Sequence, residues 1–246
     1  PWAIIGGAAD HMQAKTLVQS IDESARKPSK LGATLLNKPI KTVVGAPGTG
    51  VNGGIWCSIC GTLVWALALT NPDLAWDEWK KNTLAMHAET YPGVWYGIWS
   101  GPDQYDSEFS KTPGQASSEL LGVKATDFPV MNMHPHAWPL YTITKLMGLE
   151  FSTQGVDLAP ALPKKKFKFY SPLLDLEKTS DGYSGKYAPM VAGKWTMTLK
   201  LEKEELQRIS RVEINGKSDK FAREGDRIVF QGESTPDKPL RWVLKY

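Results

Sequence analysis

The hydrophobic pattern of the chain changes near residue 160, and this change limits the folds that the chain can adopt. All but two of the ten tryptophans precede residue 139, in segments where apolar residues recur at helical spacing. After residue 160, short segments alternate apolar and polar residues and are separated by turns. The sequence therefore predicts an α+β chain, with a helical domain over residues 1–160 and a β-domain over residues 161–246.

The first part of the chain predicts several helices and one long loop. Asp10 can cap a helix over residues 10–26, because its carboxylate can accept hydrogen bonds from the free N–H groups of the first turn. Residues 27–54 read as an ordered loop. The other predicted helices cover residues 55–70, residues 73–89 (capped by Asp73) and residues 135–149.

The segment Gly53–Thr70 is uncharged and close in length to a membrane span. It holds three glycines, however, and no basic cluster flanks it closely. A helix buried on all sides within a large domain explains it better than a membrane span does. We therefore expect no membrane partner.

The second part of the chain predicts antiparallel strands with one solvent-exposed face, as in a sandwich. Asn215-Gly216 lies between two strand signals, which is a strong indication of a tight hairpin. The predicted strands are KFKFYS from Lys166, residues 194–201, residues 210–214, residues 227–231 and residues 240–246.

Charge and cysteine content exclude several classes of function. The net charge is +3, which is too small to indicate a nucleic-acid partner, and the basic run Lys164–Lys168 is typical of a solvated surface. Cys57 and Cys60 form a lone pair in an apolar helix, where thiols pack as small hydrophobic groups. The remaining His and Cys are too sparse for a zinc site, so we expect no metal. The opening at Pro1 has no signal-peptide pattern and reads as the middle of a structure, and we expect a cytoplasmic protein.

A loop rich in aromatic residues is the main candidate for a binding site. It contains Trp95, Tyr96, Trp99 and Tyr105, interleaved with Asp103 and Gln104. Sugar rings have apolar faces and polar edges, so flat aromatic groups beside carboxylates and amides suit them. We therefore predict a carbohydrate site in this loop. Trp65, Trp76 and Trp79 are expected to pack in the core instead.

The acids Asp103, Asp106 and Glu108 are candidates for proton transfer, because glycosidic cleavage needs a carboxylic acid to protonate the leaving oxygen. Alternatively, these residues form hydrogen bonds with sugar hydroxyls or stabilise a turn.

His134 and His136 flank Pro135 at the start of the last predicted helix. They can contact a sugar or an anion there, since the free N–H groups and the dipole of a helix start favour an anion. Structural hydrogen bonding is the alternative.

Three stretches of the sequence resemble glycoside hydrolase family 94, the inverting glycoside phosphorylases. They are GVNGGIW (50–56), PGVWYGIWSGPDQY (92–105) and DFPVMNMHPHAWPLYTITKLMGLEF (127–151). The similarity covers most of residues 1–175 and matches the C-terminal part of that family. Within it, the 1,2-β-oligoglucan phosphorylases are the most similar group.

The resemblance implies the last helices of an (α/α)6 barrel followed by a jelly-roll-like β-sandwich. It implies transfer of a glucosyl unit from a β-glucan to inorganic phosphate, the co-substrate, which gives glucose 1-phosphate. No organic cofactor is implied. The general acid of the family lies upstream of the matched region, so the catalytic residues of this chain are unknown and the upstream half of the enzyme is an expected partner.

Two departures from the family pattern affect phosphate binding. Ser58 stands where many members have a histidine, and Asn132–Trp138 replaces a glycine-rich phosphate turn. Either Ser58, His134 and His136 bind phosphate, or the acceptor is water or another sugar. The first case is a phosphorylase, and the second is a hydrolase or transglycosylase on the same scaffold. A non-catalytic carbohydrate-binding module is the third possibility.

Overall fold

A computed structural model describes residues 1–41, 45–94, 104–115 and 134–246, with the backbone only for residues 134–136. The chain divides into two compact units, a helical unit over Pro1–Leu146 and a β unit over Met147–Tyr246. The sequence placed this division at residue 160. Residues 147–160 join the β unit because Gly155–Leu158 pairs with one of its strands.

The described part of the helical unit contains helices and one short two-stranded ladder. Its elements are α1 (Trp2–Ile5), α2 (His11–Ile21), β1 (Ile55–Trp56), α3 (Cys57–Ala68), α4 (Pro72–Lys81), α5 (Leu84–Thr90), β2 (Gln104–Tyr105) and α6 (His134–Leu146).

The predicted helix over residues 10–26 is confirmed. Its start is a capping box, in which the Asp10 carboxylate accepts from Gln13 N at 2.8 Å and the Gln13 side chain accepts from Asp10 N at 2.9 Å. After Ile21 the chain continues as a π-helical turn over Asp22–Arg26.

The single helix predicted over residues 73–89 is wrong, because the chain forms two helices there. Asn71, rather than Asp73, caps α4 and accepts from Leu74 N at 3.1 Å. Asn82 ends α4, and Thr83 caps α5 by accepting from Met86 N at 3.2 Å. Two side chains suited to helix ends therefore override the continuous amphipathic pattern.

Helix α3 is buried along most of its length, as its uncharged sequence predicts, and Val64, Ala66 and Leu67 are fully buried. In the part of the chain that the structure describes, no helix has the length and apolar character needed to cross a membrane. The two cysteines form no disulfide bond, and each is 1% exposed.

Helix α4 runs back along α3. The N–H of Asn71, just before α4, donates to Leu67 O near the end of α3. At the other end, a Cβ placed on Gly32 would lie 3.1 Å from both Cys60 Sγ of α3 and Glu78 Oε1 of α4. The two helices are therefore antiparallel.

The β unit contains two sheets and one short helix, α7 (Lys203–Arg208). Its strands are β3 (Glu150–Phe151), β4 (Gly155–Leu158), β5 (Phe167–Tyr170), β6 (Leu174–Thr179), β7 (Gly182–Tyr187), β8 (Gly193–Lys200), β9 (Arg211–Ile214), β10 (Lys217–Asp219), β11 (Ala222–Glu224), β12 (Arg227–Ser234) and β13 (Leu240–Lys245).

One sheet has the order β10-β9-β13-β7-β6-β5 and the other has the order β11-β12-β8-β4-β3. The five predicted strands are β5, β8, β9, β12 and β13, and the predicted hairpin at Asn215-Gly216 joins β9 to β10. In this fully described unit every ladder is antiparallel except β4–β8, which is parallel and departs from the predicted antiparallel arrangement.

Both sheets contribute side chains to a single core. Leu174, Leu176 and Trp242 come from one sheet, and Met197 and Leu199 come from the other. All five are at most 1% exposed, and in β13 the buried residues Leu240, Trp242 and Leu244 alternate with less buried ones. The chain is thus of mixed α and β class, as the sequence predicts.

Candidate functional site

The β1–β2 ladder holds two of the predicted site residues beside the first turn of α3. Ile55 lies opposite Tyr105 and Trp56 lies opposite Gln104. Because β1 runs directly into α3, this pairing fixes Gln104 and Tyr105 at the start of that helix. Both residues are only 2% exposed.

Helix α6 begins at the same end of the unit. A Cβ on Gly61 of α3 would lie 2.6 Å from Trp138 Cε3 and 3.2 Å from Thr142 Cγ2 of α6. Further along both helices, Lys145 Nζ lies 4.2 Å from the ring centroid of Trp65. Helices α3 and α6 therefore run parallel and in contact. We call the shared end, formed by β1, β2 and the first turns of α3 and α6, the ladder end.

An imidazole is packed behind the ladder. The rings of His87 and Tyr105 are 4.7 Å apart, and His87 Nε2 lies 2.7 Å from Gly114 O. His87 is 1% exposed, and this burial lowers its pKa, so the ring is neutral near pH 7. Burial also raises the pKa of Tyr105, which keeps its hydroxyl protonated.

Several buried polar atoms at the ladder end have no hydrogen-bond partner among the residues that the structure describes. They are Trp56 Nε1, Tyr105 Oη and His87 Nδ1. Buried polar atoms in folded proteins are nearly always paired, so these atoms point to a polar partner at this end. An indole N–H and a phenol hydroxyl are groups that can bind sugar hydroxyls.

In the loop after β2, the carboxylates of Asp106 and Glu108 accept hydrogen bonds that hold the loop in place. Asp106 Oδ2 accepts from Ser110 Oγ at 3.1 Å and from Thr112 Oγ1 at 2.8 Å. Glu108 Oε1 accepts from Lys30 N and from Tyr91 Oη, both at 3.0 Å. The bonds of Asp106 stay within its own loop and correspond to the turn-shaping role, whereas those of Glu108 hold the loop against Lys30 and Tyr91. The third acid, Asp103, lies outside the described residues.

The start of α3 has features that suit an anion. Trp56 occupies the N-cap position and its side chain makes no capping hydrogen bond, whereas the side chains of Asp10, Asn71 and Thr83 cap α2, α4 and α5. The N-cap residue itself therefore supplies no side-chain acceptor to the N–H groups of the first turn. Ser58 lies in this turn and is half-buried.

The structure brings Ser58, Gln104 and Tyr105 together at the ladder end. It also places the backbone of His134 and His136 in the first turn of α6, at the same end. Trp95, Tyr96, Trp99 and Asp103 lie outside the described residues, as do the side chains of His134 and His136. Among the described residues, no cluster of His, Cys, Asp or Glu could hold a metal ion.

Comparisons with known proteins give weak matches. No family model and no curated protein matches the chain. Among solved structures, a GH127 β-L-arabinofuranosidase from Geobacillus stearothermophilus T6 is 12% identical, with a TM-score of 0.30; the match covers 96% of this chain and 40% of that one. The GH127 β-arabinofuranosidase BT3674 is 10% identical with a TM-score of 0.31, covering 80% of this chain and 33% of that one. A protein described as a glycoside hydrolase is 10% identical, with a TM-score of 0.28. The match covers 80% of this chain and 34% of that one.

These findings overturn the resemblance to glycoside hydrolase family 94. No model of that family matches, and the two solved structures whose family is given belong to GH127. The chain spans less than half the length of each of these structures. The resemblance was carried by three separate stretches of the sequence.

Sequence reasoning missed a buried ionic cluster in the helical unit. Arg26 Nε donates to Glu78 Oε2 at 2.7 Å and Arg26 Nη2 donates to Asp77 Oδ2 at 2.8 Å, while Glu78 Oε1 accepts from Ala33 N at 2.8 Å. The cluster fastens the end of α2 and the following loop to α4. Its sequence signals were the i,i+4 spacing of Asp22 and Arg26, which also pair, and the place of Glu78 three residues after the buried Ala75.

His87 was also missed, because a single histidine in an amphipathic helix carries no pattern that separates a buried ring from an exposed one.

Proposed function

We propose that the chain is part of a carbohydrate-processing enzyme that binds sugar at the ladder end. One observation carries this proposal: the ladder gathers Trp56, Gln104 and Tyr105 beside the starts of two parallel helices. The set combines aromatic surface with an amide and with two buried donor groups that have no described partner. Such a combination suits a ligand with apolar faces and hydroxyl edges.

The proposed site extends into the loop that precedes β2. Trp95, Tyr96, Trp99 and Asp103 are our candidates for the rest of the sugar-binding surface, since they lead directly into Gln104. The general acid is proposed to lie outside this chain.

Phosphorolysis is the reaction that we propose first. The uncapped start of α3, the half-buried Ser58 and the nearby start of α6 support an anion site, because N–H groups and dipoles at helix starts favour phosphate. His134 and His136 are proposed to complete it. Hydrolysis or transglycosylation is the second candidate, and it is favoured by the absence of a glycine-rich phosphate turn around Asn132–Trp138.

For the architecture, we propose that α3 and α6 are neighbouring inner helices of an (α/α)6 barrel. Their parallel contact, with α4 returning antiparallel to α3, supports this arrangement. The two sheets of the β unit, which share one core, support a sandwich.

The test is an activity assay on the protein with its complete natural chain. The substrates are a β-1,2-linked glucan and an aryl β-L-arabinofuranoside, each with and without inorganic phosphate, and the products are sugar phosphate and free sugar. We expect phosphate-dependent release of glucose 1-phosphate. Equal cleavage in both conditions would replace phosphorolysis by hydrolysis or transglycosylation, and the absence of turnover and of sugar binding would contradict the proposed function.

A pair of glutamines provides a matched control for the site. Gln104 is buried in the ladder, whereas Gln115 has an exposed side chain in the same loop. We expect Gln104→Ala to weaken sugar binding about tenfold, the loss expected for one good hydrogen bond to the ligand. Gln115→Ala should bind like the natural protein. Equal affinities for the two variants would remove Gln104 from the site.

A further inference from the structure

We propose that the β unit carries a second sugar-binding site, in a cleft at the end where β8 begins. The cleft has a volume of about 1060 Å³ and lies between the start of β8, the β9–β10 turn and the β12–β13 turn. This volume is at the upper end of the range typical of small-molecule sites. The ladder end of the helical unit contributes no residue to the cleft.

Hydrogen bonds hold the two turns that form the walls of the cleft. Asn215 Oδ1 accepts from Arg241 N at 3.0 Å, and Asn215 Nδ2 donates to Glu233 O at 3.4 Å. In the β12–β13 turn, Thr235 and Lys238 exchange both backbone hydrogen bonds at 3.0 Å. The walls are thus positioned by the fold before any ligand arrives.

The charged side chains around the cleft are of both signs. They are Lys194, Lys238, Arg241, Glu233 and Asp237, and all five are exposed. None forms an ion pair within the β unit, whereas Lys186 and Asp175 on the neighbouring sheet surface do pair, at 2.8 Å. The cleft therefore offers donors and acceptors that the protein leaves available. Two carboxylates disfavour a polyanion and three cations disfavour a polycation, so a neutral ligand with many hydroxyls fits best.

The cleft also has an apolar side and a polar floor. Ala192 and Pro239 line it, and the chain just before Ala192 presents Met190 and Val191 at 89% and 60% exposure. In the floor, Ser234 is 5% exposed, and its Oγ has no hydrogen-bond partner in this fully described unit. Apolar surface beside unpaired polar groups is what a sugar ring requires.

The choice of an oligosaccharide as the ligand rests on the proposed function. A second site on the β unit would hold a long glucan chain to the protein while the helical unit acts on it.

The experiment is isothermal titration calorimetry of the full chain with a β-1,2-linked glucooligosaccharide. The double variant Glu233→Ala/Arg241→Ala removes one acceptor and one donor from the cleft. The control Lys203→Ala/Glu204→Ala removes exposed charges of both signs near the other end of β8. We expect two binding sites in the natural chain and in the control. In the cleft variant we expect about a tenfold weaker affinity at one site.

A second variant, Ala192→Arg, blocks the cleft with a long side chain. It should weaken the affinity at the same site by a similar factor. Gln104→Ala separates this inference from the proposed function, because it should weaken the other site and leave the cleft unchanged. If both cleft variants bind the oligosaccharide as tightly as the natural chain does, the inference is overturned. The proposed ladder-end site is not affected by that outcome. A loss of affinity in the cleft variants but not in Gln104→Ala would instead support the cleft and remove Gln104 from the ladder-end site.

Discussion

His87 combines complete burial with a neutral ring. Its Nε2 lies 2.7 Å from Gly114 O, and its ring packs on Tyr105. Burial lowers the pKa of His87 in the folded state, so the unfolded chain binds a proton more readily than the folded chain does. The stability that this residue contributes is therefore present above its unfolded pKa of about 6.5 and is lost as the pH falls through that value.

We expect the natural chain to lose thermal stability between about pH 7.5 and about pH 5.5, with His87 responsible for part of the loss. The variant His87→Gln keeps a donor for Gly114 O but has no titrating ring, so its melting temperature should fall less over the same range. His11→Gln is the control, because His11 is exposed. Equal pH dependence in the two variants would show that His87 does not carry the effect.

At the scale of residues, the sequence could predict the aromatic and amide groups of the candidate site but not the ionic cluster. Gln104 and Tyr105 stood out because they follow a run of aromatic residues. Two of the three carboxylate partners of Arg26 lie more than fifty positions away along the chain, at Asp77 and Glu78, and the third is Asp22. A contact over that distance depends on the packing of α2 against α4, and no local pattern records it.

Helices α3 and α6 are in close contact. Gly61 lies in the middle of α3, and a Cβ there would approach Trp138 Cε3 to 2.6 Å. The indole ring of Trp138 is therefore seated against the backbone of α3. This contact sets the position of the start of α6, and through it the geometry of the ladder end.

Gly61→Ala should destabilise the helical unit by about 1–3 kcal/mol, because overpacking outweighs the better helix propensity of alanine. Gly93→Ala is the control, since a Cβ on Gly93 meets no atom of the described residues within 4 Å. Urea unfolding, monitored by tryptophan fluorescence, gives the free energy of unfolding of each variant. A Gly61→Ala variant as stable as the control would mean that α6 can move away from α3 without loss.

At the scale of elements, the prediction succeeded where local chemistry decides the outcome. The capping box at Asp10 and the Asn215-Gly216 hairpin are local signals, and both are present. The split of the helix over residues 73–89 depends on Asn82 and Thr83, whose capping role competes with a continuous apolar stripe. The parallel pairing of β4 with β8 joins segments about forty residues apart, so no local signal reveals it.

At the scale of the whole molecule, each unit has its own buried core. In the β unit, one cluster of side chains lies between two sheets and includes Trp242 and Leu176. In the helical unit, α3 supplies buried residues such as Leu63 and Leu67. Separate cores of this kind open as separate cooperative units, since the loss of packing in one leaves the contacts of the other in place.

A core truncation in each unit tests this division. Trp242→Ala should destabilise the β unit by about 3–5 kcal/mol, and Leu67→Ala should destabilise the helical unit by about 2–5 kcal/mol. Hydrogen exchange followed by mass spectrometry should show faster exchange over Met147–Tyr246 in the first variant and over Pro1–Leu146 in the second. If either substitution speeds exchange equally in both units, the chain unfolds as one body. The ladder end and the β-unit cleft would then be coupled through a common core, because a ligand bound at either site would stabilise the whole chain by mass action.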